Sequence, residues 1–250
     1  MLWAEREGAG RRLVLVHGFT QTGRHWADVA DQLVGDHEVV LVDAPGHGHS
    51  AGVAADLWTG AGLVGDQGGE ATYLGYSMGG RFCLHLALAR PRLVRGLVLV
   101  GATAGLDDAG VREERRRADE VLARRLEEDG LDAFLAGWLA QPLFAGLTES
   151  AQGYAARRQN TPAGLAASLR TAGTGIQEPL WDRLGELTMP VLVVAGERDA
   201  KFAALGRRLA DGIGPNAALA LLPGAGHAAH GERPAQFLAV LGPWLAEHGL

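Results

Sequence analysis

Three residues of this sequence have the types and the order needed to activate a hydroxyl: Ser77, Asp199 and His227. A serine alone is a poor base and a poor nucleophile. A histidine must take its proton, and a carboxylate must hold that histidine in the correct tautomer. Ser77 lies in Gly75-Tyr76-Ser77-Met78-Gly79, a G-x-S-x-G match preceded by a β-favouring run from Ala71 to Tyr76 and followed by an apolar helical pattern from Phe82 to Ala89. In a strand–turn–helix context the two glycines let the chain turn sharply enough to hold the serine strained, with its Oγ exposed, and the helix N-terminus beyond favours negative charge. An ordinary β-to-α turn would use the same glycines but would not bring the partners.

Those partners each follow a predicted strand: Asp199 after Pro190 to Gly196, and His227 after Ala217 to Leu222. Strand ends are where catalytic groups collect in α/β folds. Each has a competitor nearby. Glu197 stands two residues before Asp199, still in the strand-exit turn, and His230 stands three after His227. Placement favours Asp199 as the orienting carboxylate. The P-G-A-G turn before His227 suits a loop that delivers a side chain inward, which makes His227 the proton shuttle.

Groups so far apart in sequence need a rigid frame. Leu2 to Glu7 reads as an edge strand; Arg12 to His17, Glu38 to Val42 and Arg95 to Gly101 read as further strands, mostly buried. Strands alternating with helical patterns imply an α/β fold, a mainly parallel sheet with helices on both faces. Trp26, Val29, Ala30 and Leu33 recur at helical spacing, whereas Asp56 to Gly69 reads as poorly helical because five glycines interrupt it. From about Gly105 to Thr188 the alternation stops. That interruption reads as an inserted helical cap, residues 105–188, on a core of residues 1–104 and 189–250. Within it Val111, Ala118, Leu122 and Leu126 share one helical stripe, Gly130 breaks it, and Leu131, Phe134, Leu135 and Trp138 begin another. A closing amphipathic helix runs from about Pro234 to Glu247.

Composition narrows the function classes. At 250 residues and 47% hydrophobic content, one domain can bury a sizeable core, and a net charge of −6 argues against a nucleic-acid or membrane-surface binder. The single cysteine, Cys83, cannot form an intrachain disulfide and fits a reducing compartment. With no apolar signal core in Met1 to Glu7 and no run of about 18 apolar residues, a cytoplasmic location and no membrane span are expected. His47 and His49 stand two apart, but no Cys, Asp or Glu cluster at ligand spacing accompanies them, so neither metal nor cofactor is expected. Between Arg112 and Arg125 six arginines face four acids. A solvated helix face is the ordinary use of such a run, and an anion site beneath it is the other.

These residues resemble the α/β-hydrolase superfamily along nearly the whole chain. In that architecture a loop after an early strand gives one oxyanion-hole N–H and the residue after the nucleophile gives the second. This nominates Phe19, in His17-Gly18-Phe19-Thr20, and Met78; the His17 side chain reads as core packing. Within the superfamily, H-G-F-T with Trp26, G-Y-S-M-G-G-R, W-L-A-Q-P-L-F from Trp138, G-E-R-D-A-K-F from Gly196 and A-G-H-A-A-H from Ala225 are similar to the 2-succinyl-6-hydroxy-2,4-cyclohexadiene-1-carboxylate synthases of menaquinone biosynthesis. The resemblance implies a lyase that expels pyruvate from a small tricarboxylate by 2,5-elimination, with Ser77 as general base. It further implies that Arg81, Arg115 and Arg158 bind substrate carboxylates and that Tyr76 and Trp138 wall the pocket, core packing being the other use of those two rings. A carboxylester or C–C bond hydrolase, or a non-catalytic binding protein on the same scaffold, are the competing readings.

Overall fold

The computed structural model describes residues 1–250. Seven strands form one sheet: β1 (Ala4–Glu7), β2 (Arg11–Val16), β3 (His37–Val42), β4 (Ala71–Tyr76), β5 (Val94–Val100), β6 (Val191–Gly196) and β7 (Ala217–Leu222), in the spatial order β1-β3-β2-β4-β5-β6-β7. Only β1, at the edge, runs antiparallel to its neighbour; the rest are parallel. β4 and β6 are buried at every position, as expected of strands covered on both faces. Successive side chains point to opposite faces. Leu13, Leu15, Leu74, Val98 and Val100 therefore join one apolar cluster, while Val14, Val16, Tyr73, Leu97 and Leu99 join the other.

The helices follow in chain order. α1 (Ala27–Ala30) continues a short 3-10 turn and buries Val29 and Ala30. α2 spans Leu57–Gly68 and α3 Met78–Ala89. The regularity of α2 corrects the expectation from its glycines. Asp56 caps it, accepting a hydrogen bond from the Thr59 N–H at 2.7 Å. A methyl group at Gly60 would sit 2.4 Å from the Phe82 ring, and one at Gly65 2.7 Å from Leu86. Close contact with α3 thus requires glycine there, and packing outweighs the poor intrinsic propensity.

Between β5 and β6 come α4 (Ala109–Leu139), α5 (Glu149–Gln152), α6 (Tyr154–Arg157) and α7 (Pro162–Ala172). α4 is broken at Gly130, where φ is 79° and ψ 173°. Its two parts and α7 share a small core of Ala123, Leu126, Phe134, Leu165, Ala166 and Leu169, against which Phe19 and Trp138 pack. This helical segment thereby meets the loop leaving β2. α8 (Ala200–Ile213), α9 (Ala229–Glu232) and α10 (Pro234–His248) complete the chain. No helix is long and apolar enough to cross a membrane.

Candidate active site

Ser77 occupies the junction of β4 and α3 with φ 50° and ψ −107°. Left-handed conformations of this kind cost a non-glycine residue on the order of 1–3 kcal/mol and persist only where the surroundings over-determine them. Here the flanking glycines permit it. A Cβ at Gly75 would lie 2.5 Å from the Gly79 carbonyl, and a Cβ at Gly79 would lie 2.1 Å from the Val16 oxygen. Strand and helix cross at backbone contact, and the serine is thrust out at the crossing.

His227 and Asp199 meet it from two other loops. The Ser77 Oγ is 3.2 Å from His227 Nε2, and His227 Nδ1 is 2.9 Å from Asp199 Oδ2. An ionised carboxylate only accepts, so Nδ1 carries the proton and Nε2 is free to accept from the serine. Asp199 also caps α8, accepting from the Phe202 N–H at 3.1 Å. Burial pushes its carboxyl upward, but the bonds from His227 and Phe202 outweigh that and hold it below the usual carboxylate range. The competitors lie elsewhere: Glu197 is exposed, and His230 is packed on Trp26 with ring centroids 4.1 Å apart. Burial, with His227 nearby, pushes His230 down to about 3, so it is a neutral core ring.

The loop after β2 is braced by two other neutral histidines. The Ala44 N–H donates to His17 Nε2 at 3.0 Å, which leaves His17 Nδ1–H to donate to the Gly18 oxygen at 2.8 Å. His47 repeats the pattern, accepting from the Thr20 N–H at 3.3 Å and lying 2.9 Å from the Pro45 oxygen. Burial pushes His17 to about 4 and His47 to about 3. His49, by contrast, stacks on Trp3 and faces Asp43. Phe19 stands in the braced loop. Met78 opens α3, where the first N–H groups of a helix lack intrahelical acceptors.

A cavity of about 390 Å³ opens over Ser77 and His227; Phe19, Met78, Tyr76 and Trp138 all line it. Four cations reach it, Arg81, Arg115, Arg157 and Lys201, and no carboxylate side chain does. Arg81 is 7% exposed and donates to the Ala172 oxygen at 2.7 Å; burial, with Arg115 nearby, lowers it to about 10. Arg115 pairs with Asp119 at 2.8 Å. Arg158 does not reach the cavity. It lies on the surface in a two-pronged pair with Asp132, and its neighbour Arg157, 1% exposed, lines the cavity instead. Successive residues on a helical turn point about 100° apart, so only one of the pair can face inward. Arg157 donates to the Gln152 oxygen at 2.7 Å and to the Thr20 hydroxyl. Trp138 sets its edge against Phe19, centroids 5.2 Å apart, and stacks with Phe134.

Residues 13–240 match the model of the alpha/beta hydrolase family. The chain belongs to that family. Among its relatives is the 2-succinyl-6-hydroxy-2,4-cyclohexadiene-1-carboxylate synthase of Escherichia coli O1:K1, 36% identical over 92% of this chain and 91% of the relative. The enzyme of the same name from Klebsiella pneumoniae is 36% identical over 94% of this chain and 93% of its own. The solved structure of MenH from S. aureus superposes with a TM-score of 0.90 at 28% identity, covering 99% of both chains. An esterase from Thermogutta terrifontis superposes at 0.82 and 26% identity, over 99% of this chain and 93% of that one.

Besides Arg157 and Lys201, which line the cavity, two polar residues of this alpha/beta hydrolase have no nomination from the sequence. Glu232 accepts from the Gly226 N–H at 2.7 Å and the Ala228 N–H at 3.2 Å, the two amides that flank His227. Its only sequence signal is an acid five residues after the histidine. Asn160, 4% exposed, donates to the Thr20 and Arg157 carbonyls and accepts from the Gly48 N–H. It ties the end of α6 to the loops after β2 and β3. A lone asparagine in irregular sequence gives no warning of that. Together these groups can take a proton from an acidic carbon or attack a carbonyl, beneath a wall that attracts anions.

Proposed function

We propose that the protein eliminates pyruvate from 2-succinyl-5-enolpyruvyl-6-hydroxy-3-cyclohexene-1-carboxylate to give 2-succinyl-6-hydroxy-2,4-cyclohexadiene-1-carboxylate. The observation that carries this reading is the cavity above Ser77, where four cations and no acid await a substrate with three carboxylates. Relatives bearing the synthase's name over nine-tenths of the chain support it. Ser77, with its proton passing to His227, takes the ring proton at C2. The freed electron pair forms C2=C3, the C3=C4 pair moves to C4=C5, and the C5–O bond breaks. Charge developing on the succinyl carbonyl is met by the Phe19 and Met78 amides, each such donor contributing about 3 kcal/mol. Arg81, Arg115 and Arg157 bind carboxylates through paired hydrogen bonds, with Arg157 replacing Arg158 in that role. Residues 105–188 act as the cap that holds two of these arginines over the triad. Cys83, buried in α3, suits a reducing compartment, and the proposal places the reaction in the cytoplasm.

The structural likeness to an esterase favours one rival reading, hydrolysis of a neutral ester through the same triad. Assaying pyruvate release from the enolpyruvyl substrate beside p-nitrophenyl acetate hydrolysis separates the two. The proposal expects fast turnover of the first, abolished in Ser77→Ala, and little of the second. Ester hydrolysis without pyruvate release would replace it with the esterase.

A further inference from the structure

A second cavity opens from the same centre. It holds about 440 Å³, shares Ser77, Arg81, Arg115, Thr174, Lys201 and Phe202 with the first, and continues past Thr103 between Val111 at the start of α4 and Leu205 on α8. Like the first, it has no carboxylate in its wall. Phe19, Met78, Tyr76, Trp138 and Arg157 line the first cavity only. The two therefore differ: the first carries the oxyanion donors and most of the aromatic rings, whereas the second has only Phe202, which it shares with the first, and reaches solvent beside Val111, which is 47% exposed.

We propose that the second cavity is a binding site for a three-carbon 2-oxo acid, holding the enolpyruvyl arm of the substrate and releasing it as pyruvate. The inference rests on the elimination reading. Ser77 lies where the cavities meet, and a ring with its C2 proton at Oγ directs the succinyl carbonyl toward the Phe19 and Met78 amides in the first. C5 lies opposite C2 across a six-membered ring, so its substituent points away from those amides and into the second. When the C5–O bond breaks, its electron pair stays on the enolpyruvate oxygen. The enolate then takes one proton on its terminal carbon, replacing the one removed from C2. Lys201 lines both cavities, and the proposal assigns its charge to this arm. It is the chain's only lysine, exposed, with its ammonium 5.6 Å from the Phe202 ring centroid. A flexible point charge at an open mouth can hold a carboxylate and let it go, whereas the buried Arg81 presents a fixed fork.

The test uses oxamate, an unreactive mimic of pyruvate, against succinate, a mimic of the succinyl arm. Both are measured by calorimetry and as inhibitors of the wild type, Lys201→Gln, Leu205→Trp and Arg157→Ala. Removing the charge or filling the cavity should weaken oxamate by about tenfold or more and leave succinate within twofold. Arg157→Ala should do the reverse. Equal oxamate binding in the wild type, Lys201→Gln and Leu205→Trp overturns the assignment, as does parallel loss of both ligands in either variant. Lys201→Gln alters an exposed side chain, so it decides the matter even if Leu205→Trp fails to fold. Pyruvate release by the wild type is scored separately. Its absence would refute the elimination, while the calorimetry still reports whether the cavity takes a 2-oxo acid.

Discussion

Ser77 and Thr20 are the two non-glycine residues with positive φ, and they stand in two of the loops that build the candidate site. The first is held by the crossing of β4 and α3, the second by His47, Arg157 and Asn160. If Ser77 and His227 act as one unit, Ser77→Ala and His227→Ala each remove most pyruvate release, and the double variant loses little more. Additive losses in kcat would break the pair apart. Asp199→Asn should keep the fold and lower turnover by up to about four orders of magnitude, because the amide no longer fixes the imidazole tautomer. Circular dichroism beside kinetics checks both halves of that statement. The arginines allow a sharper test. Arg157→Ala should reduce kcat/KM on the enolpyruvyl substrate by about tenfold to a hundredfold, the loss of one charge-assisted hydrogen bond, while Arg158→Ala, which loses only a surface pair, stays within about twofold. The opposite ranking would restore the assignment read from sequence. The sequence named Arg158 whereas the structure turns Arg157 to the cavity, because α6 is a single turn, with no apolar stripe to show which of two adjacent arginines faces inward. The meeting of Ser77, His227 and Asp199 was legible for the contrary reason: each follows a strand whose apolar run is unmistakable.

At the scale of elements, the strands were legible and α2 was not. Apolar runs report burial directly, whereas a helix rich in glycine reports only its poor intrinsic propensity until its neighbour is known. α2 approaches α3 so closely that Gly60 and Gly65 have no room for a methyl group, while Gly62 meets only the tip of the Arg90 side chain at 3.4 Å. The three positions should therefore respond with opposite signs. Gly62→Ala should stabilise the protein by about 0.5–1 kcal/mol, through helix propensity and a less flexible unfolded chain. Gly60→Ala and Gly65→Ala should each destabilise it by roughly 1–3 kcal/mol through overpacking. Urea midpoints at constant m-value measure all three, and stabilisation by all of them would mean that the helices do not touch as described. Glu232 and Asn160 were illegible for a related reason. Both act on backbone amides and carbonyls of loops distant in sequence, and no periodicity or motif records such partners.

Across the whole molecule, burial of uncharged histidines sets a pH limit. His17 and His85 are lowered to about 4, His47 and His230 to about 3, with burial the largest cause in each. Unfolded, these side chains would titrate near 6.5. Between that value and the lowered ones the unfolded chain binds more protons than the folded one, so stability falls as the pH drops. Each histidine contributes up to about 1.4 kcal/mol per pH unit within its window. Asp199 adds to the loss lower down: its depressed carboxyl contributes stability above its unfolded pKa, lost as the pH falls through the folded one. Thermal midpoints should therefore decline steadily from pH 6.5 toward 4, before most carboxylates titrate. His230→Phe isolates one share. The ring sits between Trp26 and Tyr76 with its Nδ1 unpartnered, so phenylalanine can occupy the space without a proton to gain. That variant should flatten the decline by about 1 kcal/mol per pH unit while leaving the neutral-pH stability at or above that of the wild type. A wild-type profile flat from pH 7 to 5, or an unchanged slope in His230→Phe, would show that these rings are charged or hydrated in the fold.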